Sequence, residues 1–216
     1  NIMVNDSIGD WWGKGTQAVL TLNGMLRAWG ATIQTPNHEA SLCGHEMGHA
    51  FGLDHSSGPY AATYDSRWDN MSVGRSPIDP TYGHVGVNTN AYHKAQLGWI
   101  TSAQTYLAFP GTTLTFDLER VAQPVSASNY RMAKIFYGGW ATKYYTVEFR
   151  QKVGYDNSPA LPAEGVVLHS VDEQRAGGDR TSQVVDIDNN NDPNDAAAVW
   201  TAGEVSPITP TESWCV

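Results

Sequence analysis

Residues 45–55 read HEMGHAFGLDH, and the reading of this stretch decides the fold class. It gathers three of the chain's seven histidines, His45, His49 and His55, with one glutamate, Glu46, directly after the first, and glycines at 48 and 52. Residues four apart project from one face of an α-helix, about one turn or roughly 6 Å along the axis. A helix here therefore offers two imidazoles to one metal ion. Glu46 would stand about 100° around that helix, beside the ion and placed to take a proton from a water molecule. Gly52, three residues past His49, lets the chain leave the helix in a left-handed conformation. The turn then returns His55 as a third ligand. Three neutral imidazoles with one open position make a catalytic zinc site, because a structural site closes with a fourth protein ligand. A bare H-E-x-x-H arises by chance; the added glycine and third histidine at these spacings make the signal strong.

On the N-terminal side, TQAVLTLNGMLRAW (residues 16–29) holds two apolar runs joined by Asn23-Gly24. That dipeptide is the strongest short hairpin signal, so strand, tight turn and strand are expected. On the C-terminal side, NTNAYHKAQLGW (88–99) predicts a short helix capped near Asn88 or Asn90. From about residue 105 the alternation changes to period two. In TTLTFDLER, Leu114, Phe116 and Leu118 share one face; in KYYTVEFRQ, Tyr145, Val147 and Phe149 do. RMAKIFY and GVVLHSV continue the pattern between Gly, Pro and Asn clusters. This half predicts an antiparallel sheet or small sandwich. The chain carries no internal repeat.

The 216 residues suffice for one large core or two modest ones. Lys plus Arg number 13 against 22 Asp plus Glu, a formal charge of −9, which speaks against a nucleic-acid footprint. Only 16% of residues are charged, while Trp, Tyr, Gly, Asn and Thr are frequent, a composition suited to a β-rich extracellular protein. No apolar run approaches the length of a membrane span. The sequence opens at Asn1 without a signal peptide, as a processed or trimmed product would.

HEMGHAFGLDH resembles the long zinc-binding consensus of the metzincin metallopeptidases, H-E-x-x-H-x-x-G-x-x-H. Metzincins also carry a methionine turn beneath the metal, and YDSRWDNMS (64–72) supplies Met71 downstream. AYHKAQLGWI, YYTVEFR and GVVLHSVD then look like the succession of landmarks in the gametolysin and immune-inhibitor-A-like secreted peptidases. His55 as third ligand is closer to the gametolysin pattern, since immune inhibitor A typically has an aspartate there. The resemblance spans about residues 10 to 205, specific at the metal motif and looser in the β-rich half.

The resemblance implies His45, His49 and His55 as zinc ligands, Glu46 as general base, and Met71 as a hydrophobic floor that does not bind the ion. Some metzincins place a tyrosine two residues after the methionine, but Val73 stands there, so no tyrosine role carries over. Tyr60, Tyr64 and Tyr82 remain unassigned. Metzincins also put a twisted sheet and a long helix before the metal helix, and 44 residues are too few for both. The expectation is therefore a partly missing N-terminal sheet, with a propeptide or further N-terminal segment outside this sequence.

Weaker constellations remain. Asp186, Asp188, Asn190 and Asp192 in DIDNNNDPND (186–195) alternate as hard oxygen ligands for calcium would. The loop lacks the EF-hand glycine at its sixth position and the glutamate at its twelfth, and reads first as a solvated polar loop, with Ca2+ as the alternative. His93 and His169 favour core or surface roles; His38, Glu39 and His84 fall near the cleft in sequence without a spacing that assigns them. In an extracellular protein two cysteines usually pair, so a Cys43–Cys215 disulfide is expected, with a buried free Cys43 as the alternative.

Together these readings predict an α+β metzincin-type zinc peptidase. Residues 1–104 form the catalytic region with metal helix and Met-turn, and residues 105–216 a β-rich, mostly antiparallel region. The expected activity is that of a secreted, extracellular zinc endopeptidase acting on protein or peptide substrates laid along a strand edge of the Asn23-Gly24 hairpin. The alternative is a metal-bearing recognition module for glycoprotein or cell-surface ligands, motivated by eight tryptophans. A gluzincin-type peptidase would instead take a downstream glutamate as third ligand and leave His55 without a role.

Overall fold

The computed structural model describes residues 2–3, 9, 12–36, 39–60, 64–72, 78–81, 83–109, 115–137, 141–157, 160–175, 180–202, 205–209 and 212–215, the last two stretches as backbone only. In chain order the elements are β1 (Ile2–Met3), β2 (Gly13–Leu22), β3 (Met25–Gln34), α1 (Ala40–Ala50), β4 (Ser56–Ser57), β5 (Ile78–Asp79), β6 (Gly83–His84) and α2 (Ala91–Gln96). They continue with β7 (Thr105–Ala108), β8 (Met132–Phe136), β9 (Lys143–Arg150), β10 (Gly165–Asp172), β11 (Ser182–Val184), β12 (Val205–Thr209) and β13 (Glu212–Cys215). The fold is α+β, rich in sheet and poor in helix. No helix among the described residues is long and apolar enough to cross a membrane.

Asn23 and Gly24 both take positive φ, 50° and 76°, as a two-residue hairpin turn requires, and β2 pairs antiparallel with β3 from Gly13↔Gln34 to Leu22↔Met25. With β1 parallel to β3, the small sheet runs β1-β3-β2. One face of this hairpin is nearly bare of side chains where it meets α1. A Cβ on Gly15 would collide with the Glu46 carbonyl, and one on Gly30 with the Ala50 carbonyl. The two glycines let strand and helix backbones touch, and Gln17 Nε2 closes the contact by donating to Ala50 O at 3.2 Å. Farther along, Val19, Leu20, Leu22, Met25 and Leu26 stand exposed beyond the end of the helix.

The larger sheet has the order β4-β11-β10-β9-β8-β7. Its centre is antiparallel as expected, but β7–β8 and β4–β11 at its two edges are parallel. The reason lies in the connections: β7 and β8 are separated by residues 109–131, long enough to cross over, where a tight turn would enforce antiparallel pairing. The stretch expected to continue the alternation near Phe116 forms only isolated bridges, Leu118↔Tyr130 and Arg120↔Phe149, and Leu114 lies outside the described residues. Strand β4 comes from the first half of the chain, and Arg150 and Pro193 bond Trp68 across the expected division at residues 104/105.

Tyr145, Val147 and Phe149 share one face of β9 as expected, with Val147 buried, but the opposite face is buried more deeply. Tyr144, Thr146, Glu148 and Arg150 form the more deeply buried face, while Tyr145 and Phe149 of the apolar face are only half-buried. Burying that polar face is feasible because every N–H of Arg150 has a partner. Its Nε and Nη2 grip Asp156 at 3.1 and 2.8 Å; Nη1 donates to Glu148 Oε1 at 2.9 Å and Trp68 O at 2.7 Å, and Nη2 to Asn88 O at 3.2 Å. A buried charge is tolerated when paired and fully hydrogen-bonded. Glu148 also accepts the N–H of Ala91, the first residue of α2. Asn90 caps that helix, its side chain accepting from His93 N at 2.9 Å. The polar layer thus ties α2, the sheet and the Trp68 segment together beneath α1.

Candidate metal centre

α1 carries His45 and His49 one turn apart, as their spacing requires. Phe51 caps the helix, Gly52 takes φ +93°, and the chain turns back through Leu53 to His55. The three rings converge: His49 Nε2 lies 3.1 Å from His45 Nε2 and 3.0 Å from His55 Nε2. Among the described residues this is the one group of His, Cys, Asp or Glu side chains that brings three ligand atoms within 4.8 Å of one another.

The far sides of two rings decide their chemistry. His45 Nδ1 meets Asn70 O at 2.8 Å, and His49 Nδ1 meets Leu53 O at 2.8 Å. A carbonyl can only accept, so each Nδ1 carries the proton and each neutral ring turns an Nε2 lone pair toward the centre. Burial pushes the His45 imidazole down to about 4, outweighing the Asn70 carbonyl that favours its charged form; His49 and His55 lower it further. Lone pairs facing one another at 3.1 Å repel unless a cation lies between them. Tetrahedral zinc with bonds of about 2.0–2.1 Å sets its nitrogens roughly 3.3 Å apart, close to the spacing found. The donor set fits a zinc ion, with backbone carbonyls orienting the rings as outer-shell partners do.

Glu46 lies on the same helix, buried, with its carboxylate against β2: Gly15 N–H donates to Glu46 Oε2 at 2.5 Å. Met71 is 1% exposed and packs on the other side of α1, its Sδ against Gly48. The turn bearing Met71 is clamped to the helix by Asn70, whose Nδ2 donates to Ser41 O at 3.1 Å, and to the loop by Ser56 N–H donating to Met71 O at 3.1 Å. Asp69 fixes it from below. Asp69 Oδ1 accepts from Met71 N at 3.0 Å and Thr89 Oγ1 at 2.7 Å, and Oδ2 meets His93 Nδ1 at 2.7 Å. Burial alone would raise the Asp69 carboxyl, but the His93 charge and these hydrogen bonds hold it well below the usual carboxylate range.

The remaining residues singled out from the sequence fall elsewhere. His93 and His169 are fully buried core residues. Glu39 and His84 approach each other at 3.4 Å, while His38 and Tyr82 lie outside the described residues. Cys43 is a free thiol, with Gln34 Nε2 at 3.1 Å from its Sγ, and its expected bridge to Cys215 falls on a side chain outside the described residues. Helix α1 turns Cys43 toward β3. In the 186–195 loop, Asp188, Asn190 and Asp192 spend side-chain oxygens on the N–H groups of Asn190, Asp192 and Asn194, and Asp186 accepts from Tyr60 and Asn191. Apart from the Tyr60 contact these are local turn bonds, and no three carboxylates there converge as the histidines do.

Sequence reasoning left Tyr64 unassigned, and its hydroxyl lies 3.3 Å from His55 Nε2. It also missed the carbonyls of Asn70 and Leu53 and the N–H of Gly15, which as backbone groups carry no residue signature. No family model, curated protein or solved structure matches the chain.

Proposed function

We propose that the chain is a zinc-dependent endopeptidase of metzincin type, secreted and acting on extended protein or peptide segments. The observation that carries this reading is the convergence of three Nε2 lone pairs, two of them fixed by backbone carbonyls, on the helix that also bears a buried carboxylate. His45, His49 and His55 would hold the ion and Met71 would floor the site. When bound, zinc supplies a Lewis acid that polarises a peptide carbonyl and brings the pKa of a coordinated water to about 7.

The rest of the chemistry belongs to the chain. Glu46 accepts a proton from the attacking water and returns it to the amine nitrogen that leaves. Gly15 N–H holds the carboxylate in place from the strand side. β2 is an edge of its sheet, so a substrate backbone can add alongside it through main-chain hydrogen bonds, with residues of the hairpin selecting side chains. The buried Arg150 and Asp69 networks keep the Met-turn rigid beneath the ligands.

The test is metal analysis of purified protein together with digestion of denatured casein, with and without a chelator. One zinc per chain and chelator-sensitive cleavage are expected. Stoichiometric zinc without cleavage would shift the reading to a metal-bearing recognition module, and no zinc uptake would remove both.

A further inference from the structure

We infer that Arg180 and Thr181 are positioning residues for His55, setting the affinity of the three-histidine site for its ion; this rests on the metal reading proposed above. His45 and His49 take their places from the turns of α1. His55 lies beyond Gly52, outside any helix, so its ring goes where the backbone of residues 54–57 carries it. That backbone is gripped on both sides of His55 by two consecutive residues from far along the chain. Before it, Thr181 Oγ1 donates to Asp54 Oδ2 at 3.0 Å. After it, Arg180 Nε donates to Ser57 Oγ at 2.8 Å, and Nη2 to Gly58 O at 3.3 Å and to Tyr60 O. Between the two grips β4 pairs parallel with β11, Ser56 opposite Ser182 and Ser57 opposite Gln183.

A parallel pairing only two residues long supplies few ladder bonds, and parallel pairs are slightly less stable per residue. The side-chain bonds therefore carry much of the loop's placement. The gripping residues are themselves anchored in the sheet. Thr181 is buried, and its carbonyl accepts from Asp172 N–H of β10 at 3.0 Å; the adjoining Ser182 is buried too, and its Oγ accepts from Asn90 Nδ2 at 3.1 Å. Arg180 takes φ +57°, a left-handed conformation uncommon for a residue other than glycine. Such strain persists where surrounding contacts over-determine it, and the contacts here are the bonds to residues 57, 58 and 60. The strained turn aims the guanidinium at the loop of His55. The approach of His55 Nε2 to His49 Nε2, at 3.0 Å, thus depends on the central sheet as well as on α1.

The experiment needs no turnover. Zinc affinity of the full chain is measured by competition with a chromogenic chelator, for wild type, Thr181→Val, Thr181→Ser, Arg180→Lys and Arg120→Lys. Valine keeps the shape of threonine without its hydroxyl, and serine restores the hydroxyl. Lysine keeps the charge of arginine but lacks the planar fork that reaches several acceptors. Arg120→Lys is the matched control, since Arg120 likewise donates to a carbonyl and a side chain, Gln123 O at 3.0 Å and Gln151 Oε1 at 2.9 Å, none of them on the loop of His55. Thr181→Val and Arg180→Lys should each still bind one zinc, with affinity lower by roughly tenfold, as on losing an outer-shell partner. Thr181→Ser and Arg120→Lys should stay near wild type. If Thr181→Val does not fold, Arg180→Lys against Arg120→Lys decides on the same criterion. Wild-type affinity in either Thr181→Val or Arg180→Lys overturns the role of that residue and leaves the three-histidine site standing. An equal loss in Arg120→Lys overturns both roles, because general loosening of the fold would then account for it. Absence of stoichiometric zinc uptake by wild type overturns the site and the inference together.

Discussion

The N–H of Gly15 on β2 donates to the carboxylate of Glu46 on α1 across 31 residues of sequence, at 2.5 Å. The contact is open only to glycine, because a Cβ at Gly15 would run into the Glu46 carbonyl, and one at Gly13 would lie 2.8 Å from Glu46 Cγ. Gly15→Ala must therefore push the strand away from the helix. Overpacking of this kind costs about 1–3 kcal/mol, read as a lower urea midpoint. Zinc content should survive, since all three histidines lie on α1 and the loop that follows it, while cleavage should fall as Glu46 loses its restraint. An alanine variant with wild-type stability and rate would show that the contact does not constrain the carboxylate.

Glu46 separates catalyst from binder. Glu46→Gln keeps the shape and still accepts from Gly15, but it cannot take up a proton at neutral pH. Zinc content and folding should stay near wild type while cleavage of casein falls by about 10² or more. Equal rates for the two proteins would refute general-base catalysis by this residue.

His49 and His93 offer a paired test of ligand against scaffold. His49 is central to the cluster, its Nε2 close to both other rings, so His49→Ala should abolish stoichiometric zinc. His93→Ala leaves the three ligands untouched but strands Asp69 as a buried, uncompensated carboxylate. Removing one partner of a buried pair costs about 3–5 kcal/mol. The folded fraction should still bind zinc, with a much lower urea midpoint. Retention of one zinc by His49→Ala would dismantle the ligand set.

Local chemistry was legible in the sequence and long-range placement was not. Asn23-Gly24 and Gly52 announce a positive φ that few other residues adopt, and take it, while Asn90 announces a helix cap and its side chain makes one. The spacing of His45, His49 and His55 encodes convergence within a dozen residues. By contrast, the more deeply buried face of β9 is the polar one, because Glu148 pairs with Arg150 and the N–H of Ala91, and Arg150 is held further by Asp156, Trp68 and Asn88, which lie far away or in loops. Alternation reveals that a strand has two faces; which one is buried depends on what packs against it. The parallel edges of the large sheet arise from crossovers that hydrophobic periodicity does not record. Tyr64 reaches His55 through one strained residue in a loop, a geometry with no residue-type signal.

Acid should weaken the fold in two stages. His169 is fully buried, and neither ring nitrogen has a hydrogen-bond partner among the described residues. Burial pushes its imidazole below the ordinary value of 6.5, opposed by Glu148 and Asp69 and aided by Arg150 and His93. The unfolded chain therefore takes up a proton on this residue before the folded chain does, so stability falls as pH drops below about 6.5. Asp69 has the depressed carboxyl of a paired acid. Its contribution is complete above the unfolded value of 3.8 and is lost as pH falls below it. His169→Leu is close in volume and removes the first stage attributable to this residue, together with two unsatisfied polar atoms whose burial is costly. The difference in urea stability between this variant and wild type, measured on metal-free protein at about pH 7 and about pH 5, cancels the contributions of the other histidines. It should move in favour of the leucine variant as the pH falls, whatever its sign at neutrality. A difference unchanged between the two pH values would mean that His169 keeps the same protonation in the folded and unfolded chains.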